Sequence, residues 1–269
     1  MRIFLFDGVG DSEEGFGMWR RLKILSRFEL RQTWDEKAIL FYTLVAPTIY
    51  FVIATVSSGG HPFGLHNVAY QLLGYWAYIV LVGVLNGFQF GLIGMRESNF
   101  LKMFTIIAGD KRLIFYSNLL VQIVFIQVEI VVFDIIVLLL NPASLSLAPL
   151  MVGGFLLNFL LIPIVAGFTN FILMLPIKLN VVSLMMMGYI FLGMLLINLP
   201  FNPDSALGIV LTALNPCSYM IVAYGMLFNL MGPATGMMLG VLGVVALFYL
   251  AVGFYPVRHM KLQSYTSRY

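Results

Sequence analysis

Residues 113–140 read LIFYSNLLVQIVFIQVEIVVFDIIVLLL. As a helix rising ~1.5 Å per residue, this run outreaches the ~30 Å of hydrocarbon in a bilayer. In lipid a backbone must satisfy its own polar groups, which leaves helices or a closed β-barrel. The run is continuously apolar and not alternating, so the barrel is excluded. Around it the composition agrees: of 269 residues, 61% are of hydrophobic types and only 10% are charged. A soluble domain carries about 25% charged residues to cover its surface. The expected class is therefore an all-α, polytopic membrane protein.

Working outward, spans are expected at about 38–56, 68–94, 113–140, 148–175, 180–199 and 234–255, six in all. Residues 1–37 form a charged arm without an apolar core and small-residue cleavage site, so no cleavable leader is expected. Within the arm, Met18, Leu22, Leu25 and Phe28 recur at helical spacing, with Arg20, Lys23, Arg27 and Arg31 elsewhere around the turn. Trp19 and Trp34 suit headgroup depth, so an amphipathic helix lying on the leaflet is expected.

The basic residues set the orientation. All fifteen lie in the arm, between Arg96 and Arg112, at Lys178, or between Arg258 and Arg268. With six spans these segments share one face, and the opposite loops (57–67, 141–147 and 200–233) hold no Lys or Arg and one acid, Asp204. Lys and Arg stay on the cytoplasmic side, which places a multi-pass chain in a cytoplasmic membrane with both termini inside. The apolar stretch 206–231 would make a seventh span and reverse that asymmetry. It is interrupted by Asn215-Pro216, where Pro removes a backbone donor, so two short helices that dip into the outer leaflet and return are expected over about 205–232. Residues 258–269 form an inner tail.

Inside the membrane, Gly83, Gly87 and Gly91 form a small-residue stripe in the second span, and Gly236 and Gly240 repeat it in the last. Such stripes bring helices close, within the chain or to a second copy. Pro47 and Pro163 are expected to kink their spans. Two carboxylates, Glu129 and Asp134, lie in the third span, about 140° apart around the helix. Gln122 aligns with Glu129, and Gln127 with Asp134. A carboxyl in hydrocarbon costs at least ~3 kcal/mol, so each faces a hydrophilic path or proton-sensitive site, or is held by hydrogen bonds, or, for Asp134, reaches the outer interface.

Catalytic sets are absent from the sequence. His61, His66 and His259 have no ligand or nucleophile at a telling distance, and Cys217 is the only cysteine. No His-Glu-x-x-His helix, Gly-x-Ser-x-Gly elbow or phosphate-binding loop occurs. Neither an enzymatic role nor a cofactor bound by this chain is expected, and a net charge of +3 gives no reason to expect nucleic acid.

The inner loop reads Arg96-Glu97-Ser98-Asn99-Phe100-Leu101-Lys102-Met103-Phe104-Thr105-Ile106-Ile107-Ala108-Gly109-Asp110-Lys111-Arg112. Ser98 is a candidate N-cap and Gly109 a candidate C-terminus, which predicts a short helix with Phe100 and Phe104 on one face. A surface-lying helix and a plug for a soluble partner's groove share that pattern. Here, and again at Leu214-Asn215-Pro216-Cys217-Ser218-Tyr219, the chain resembles the permease subunits of type-2 ATP-binding-cassette (ABC) exporters. Ser98-Asn99 after the Arg-Glu pair, and a re-entrant segment without a basic residue, depart from that family's pattern.

The resemblance implies a homo- or heterodimeric permease working with two copies of a separate ATPase, which would hold ATP and Mg. It makes about 97–108 the coupling helix, with Arg96, Glu97, Phe100, Phe104, Gly109 and Asp110 as the ATPase-coupling residues. Gln122, Glu129 and Asp134 become candidates for a pathway, and Asn215, Pro216 and Tyr219 mark the outer re-entrant segment. Short outer loops favour an amphipathic drug, peptide or lipid-like substrate over a long polysaccharide. Two other classes remain open: a secondary transporter driven by protons through Glu129, and a non-transporting membrane scaffold or immunity-type protein.

Overall fold

The structure, a computed structural model, describes residues 23–27, 29–30, 37–57, 64–175, 177–197, 205–231 and 235–260, with backbone alone for 37–42, 107–108 and 194–197. Most of the amphipathic arm (Met18, Trp19, Leu22, Phe28 and Trp34), His61, Asp204, Lys261 and Arg268 lie outside the described residues. Among the described residues there is no β-strand, and nearly all are helical.

Helix α1 (Lys37–Ser57) contains Pro47. Helix α2 (Leu65–Val82) runs through a π-helical stretch, Gly83–Gln89, into α3 (Phe90–Glu97). A short helix α4 (Phe100–Ala108) precedes α5 (Lys111–Leu140). A 3-10 turn (Pro142–Leu147) opens α6 (Ala148–Thr169), and a second (Asn170–Met174) closes it. Then come α7 (Leu179–Ile197), α8 (Ala206–Leu214), α9 (Pro216–Leu227), α10 (Gly236–Ala251) and α11 (Tyr255–His259).

Four continuous helical stretches are long and apolar enough to cross a membrane: Leu65–Glu97, Lys111–Leu140, Pro142–Met174 and Gly236–His259. The pair α8 and α9, bent by 113° at Asn215, brings the number to five if it is one span. The expected first and fifth spans are α1 and α7, whose shorter described apolar parts are Thr43–Ser57 and Leu179–Gly193.

Exposed and buried sides separate cleanly on α5. Leu120, Val124, Val128, Val131, Ile135 and Leu139 are exposed at spacings of three and four, while Ile126, Ile130, Phe133 and Val137 are buried. Lipid tails are as apolar as these side chains, so helix association rests on close packing and interhelical hydrogen bonds. Glycine supplies the first. A Cβ on Gly83 would lie 2.6 Å from Ile126 Cγ1, and one on Gly87 would lie 2.2 Å from Gln122 Nε2. The first stripe therefore packs within the chain against α5.

Gln122 Nε2 donates to the Gly83 carbonyl at 3.1 Å. That bond engages a backbone acceptor at the start of the π-helical stretch, where the amide of Phe90 bonds Leu85, five residues back. A side chain engaging the helical ladder is one of the physical causes of such a bulge. The second stripe behaves differently: among the described residues, a Cβ on Gly236 or Gly240 would meet nothing within 4 Å.

Aromatic pairs are set into a mostly aliphatic core. Phe51 packs edge-on against Phe133, Phe88 against Phe115, and Trp76 against Tyr224. Every α9 residue from Pro216 to Met226 is buried, against α2, α6, α7 and α8. Helix α8 before the bend is less covered, with Leu207, Val210 and Leu214 exposed.

Candidate functional site

The basic segments meet at one end of the bundle. Lys111 Nζ donates to the Met260 carbonyl at 3.1 Å, joining the start of α5 to the residue after α11. Ser26 Oγ lies 3.1 Å from Ser117 Oγ, which sets the arm against α5. Beside it Glu29 is buried; desolvation pushes its carboxyl up to about 8, and a hydrogen bond from Ser117 acts in the opposite direction.

At this basic end α4 stands between two left-handed residues. Asn99 precedes it with φ 61°, and Gly109 follows with φ 81°. Gly109 is the C-terminal residue expected from the sequence, because glycine enters the left-handed region without a Cβ penalty. The expected N-cap is corrected. Asn99, whose short polar side chain tolerates that conformation, occupies the position, and Ser98 Oγ donates back to the Gly94 carbonyl of α3 at 2.8 Å. Asp110 caps α5, accepting from the Arg112 amide at 2.8 Å.

Leu101 of α4 is buried and Phe104 half-buried, while Phe100, Lys102, Met103 and Ile106 are exposed. The rings of Phe100 and Phe104 lie 6.3 Å apart, a neighbouring pair as expected from their spacing. The outward face is thus apolar, with one lysine beside it.

Arg96 and Glu97 point into the chain. Arg96 is 1% exposed. Its Nη1 donates to the carbonyls of Leu173 (3.3 Å) and Leu175 (2.9 Å), and Nη2 to that of Ile177 (2.8 Å). Glu97 Oε1 accepts from the Leu179 amide at 2.6 Å. The cation serves carbonyls at the C-terminal end of the α6 segment and the anion serves the first amide of α7, as the partial charges of helix ends require. Two adjacent residues thereby clamp the joint between two helices.

The intramembrane polar groups each find a partner on a different element. Glu129 Oε1 accepts from Thr43 Oγ1 of α1, while its Oε2 is buried without a hydrogen-bond partner among the described residues. Asp134 Oδ1 accepts from Trp76 Nε1 at 2.9 Å, and Gln127 Nε2 donates to the Phe155 carbonyl at 2.9 Å. The two polar stripes read from the sequence therefore point to four separate hydrogen-bond contacts. Asp134→Asn keeps an acceptor for the indole and is expected to leave stability nearly unchanged. Asp134→Leu orphans it, costing about 1–3 kcal/mol. Unfolding midpoints in detergent check the contrast, and equal losses in both variants would refute the assigned bond.

The sequence reading missed two networks. Gln89 Nε2 donates to Thr169 Oγ1 and Asn170 Oδ1, and Asn170 Nδ2 donates to the Gly253 carbonyl at 3.0 Å. Tyr224 donates through its hydroxyl to Asn158 Oδ1 beneath Trp76. Lone amides in apolar runs were the available signal for both.

At the bend, Asn215 Oδ1 accepts from the Cys217 amide at 3.0 Å, and its Nδ2 donates to the Gly193 carbonyl of α7 at 3.1 Å. Pro216 takes the first position of α9, where its missing N–H costs nothing. Tyr219 donates to the Leu242 carbonyl at 3.2 Å. No group of three or more potential metal ligands occurs among the described residues. Compared with protein-family models, curated proteins and solved structures, the chain matches none.

Proposed function

We propose that the chain is the membrane subunit of an ATP-driven exporter of the type-2 ABC class, crossing a cytoplasmic membrane six times with both termini inside. The observation that carries this reading is α4: a nine-residue helix at the basic end, fixed between two long helices, with Phe100, Met103 and Ile106 outward. Exposed apolar side chains on the aqueous side of a membrane helix pair suit the groove of a soluble partner.

Topology supports the same reading. Glu97 holds the start of α7 at the basic end, and Asn170 holds the end of α10 there. If α7 and α10 each cross once, the bent pair α8–α9 enters and leaves on the far side, as a re-entrant element does. Its 113° bend, and the cover that protein gives to its α9 half, accord with that.

In this mechanism two ATPase copies, binding ATP and Mg themselves, close against α4 of two permease chains. The push tilts the spans and opens an outward path for an amphipathic drug, peptide or lipid-like substrate. Phe100, Met103 and Ile106 carry the contact. Phe104 supports them from its half-buried position, and Gly109 and Asp110 form the turn into α5.

The test is to tag the chain, extract it from its native membrane in mild detergent, and identify stoichiometric partners while assaying ATP hydrolysis. A soluble subunit with a phosphate-binding loop is the expected result. Replacing Phe100, Met103 and Ile106 together by Ala is expected to weaken its association tenfold or more, roughly the effect of removing one or two anchor residues from an interface. Full association in that variant would remove α4 from the contact. The buried Oε2 of Glu129, without a hydrogen-bond partner among the described residues, favours a second reading, a proton-driven transporter. It predicts flux without any ATPase, and pH dependence lost in Glu129→Gln.

A further inference from the structure

Helix α7 is held at two places by residues far apart in sequence. At the basic end Glu97 Oε1 accepts from the Leu179 amide at 2.6 Å. The segment leading into α7 hangs by the carbonyls of Leu173, Leu175 and Ile177 from the Arg96 guanidinium. Fourteen residues further on, about 21 Å along a helix axis, the Gly193 carbonyl accepts from Asn215 Nδ2 at 3.1 Å. Tyr189 adds a bond from its hydroxyl to the Leu214 carbonyl, 3.3 Å away on the other side of the bend.

The upper attachment is a close one. A Cβ on Gly193 would lie 3.2 Å from Asn215 Oδ1, so the elbow rests almost on the α7 backbone. Asn215 also shapes that elbow by capping α9 through the Cys217 amide. One side chain therefore fixes both the bend and its seat on α7. Between the two attachments α7 contains no proline.

We propose that α7 is a coupling rod: Glu97 transmits displacement of the α3–α4 junction to the Asn215 elbow, and so sets whether the α8–α9 turn is closed. Arg96 and Glu97 act as positioning residues within the chain, not as contacts to a partner. The proposal deepens the exporter reading, since α4 is where the ATPase would push. Its test uses neither nucleotide nor partner, so the two ideas fail separately.

The chain carries its own reporter. Cys217, the only cysteine, is fully buried and sits two residues from Asn215. Its modification by N-ethylmaleimide, a membrane-permeant thiol reagent, reads opening of the elbow. In the purified full-length chain the wild-type thiol is expected to react slowly, and in Asn215→Ala quickly. Glu97→Ala, at the far end of α7, is expected to raise the rate about five-fold or more, through loss of one anchoring hydrogen bond. Glu97→Asp, whose carboxylate falls about 1.5 Å short, is expected to do so in part and serves if the alanine variant fails to fold. Glu97→Gln, whose amide oxygen accepts the same N–H, is expected to react like wild type, as is Lys102→Ala on exposed α4. Wild-type protection of Cys217 in both Glu97→Ala and Glu97→Asp would overturn the proposal. So would failure of Gln to restore protection, which would replace the hydrogen bond by charge.

Discussion

Gly167→Ala is expected to lower the unfolding midpoint in detergent by roughly 5–10 °C, and Gly240→Ala to leave it within about 2 °C. The difference is geometric. A Cβ on Gly167 would lie 2.4 Å from the Tyr249 carbonyl oxygen and 3.0 Å from its carbon, backbone atoms that no rotamer change can move. From the other side, a Cβ on Gly253 would lie 2.6 Å from the Gly167 oxygen. Here α6 and the end of α10 meet backbone to backbone. Relief requires them to part by about 1 Å, which strains the stacked rings of Phe168 and Tyr249, 3.6 Å between centroids, and the Asn170–Gly253 hydrogen bond. Overpacking of this kind costs about 1–3 kcal/mol. A methyl on Gly240 meets nothing within 4 Å among the described residues and improves helix propensity. Equal midpoints for the two variants would show that this crossing is not tight.

That comparison shows which features were legible in the sequence. Periodic signals survived: the long apolar runs, the break at Asn215-Pro216, and the glycine at the end of the inner helix are local, and the chain around them dictates their conformation. Gly83 and Gly87 were visible because two small residues one turn apart mark a groove on a single helix. The Gly167–Gly253 contact takes one glycine from each of two distant segments, so neither position stands out. Conversely, Gly236 and Gly240 carry the pattern without a close neighbour among the described residues, since spacing records what a helix face permits and not what covers it.

The polar residues teach the same point differently. The cost of a carboxyl in hydrocarbon marked Glu129 and Asp134 as facing either a path or a partner. That the partners are Thr43 and Trp76 depends on which helices lie beside α5, and no motif encodes it. The Arg-Glu pair was found for a different reason, as the mark of a docking helix. Its side chains turn inward, because four backbone groups between Leu173 and Leu179 are left without helical partners where α6 ends and α7 begins. Orphaned helix ends are a demand that the sequence does not state, and a buried guanidinium beside a carboxylate meets it.

Arg96→Met is therefore expected to be the most damaging single change at the basic end. It keeps most of the side chain's volume and removes every donor, leaving the carbonyls of Leu173, Leu175 and Ile177 unpaired around a side chain that is 1% exposed. Each unmet buried acceptor costs about 1–3 kcal/mol, and water entering near the membrane surface returns part of it, so a net loss of about 3 kcal/mol is expected. Arg96→Lys is expected to recover less than half. An ammonium is a single point charge on a flexible stem, while the three carbonyls are spaced for the two ends of a planar fork. A local readout separates this from general loosening. Lys178 is exposed within the clamped segment, one residue before α7. Trypsin is expected to cut after it slowly in the wild-type chain, faster in Arg96→Lys, and at least tenfold faster in Arg96→Met, since the freed segment can then enter the protease in extended form. An unchanged cleavage rate together with an unchanged unfolding midpoint would mean that the guanidinium bonds do not hold this joint. The α7 rod would then have to be anchored by Glu97 alone.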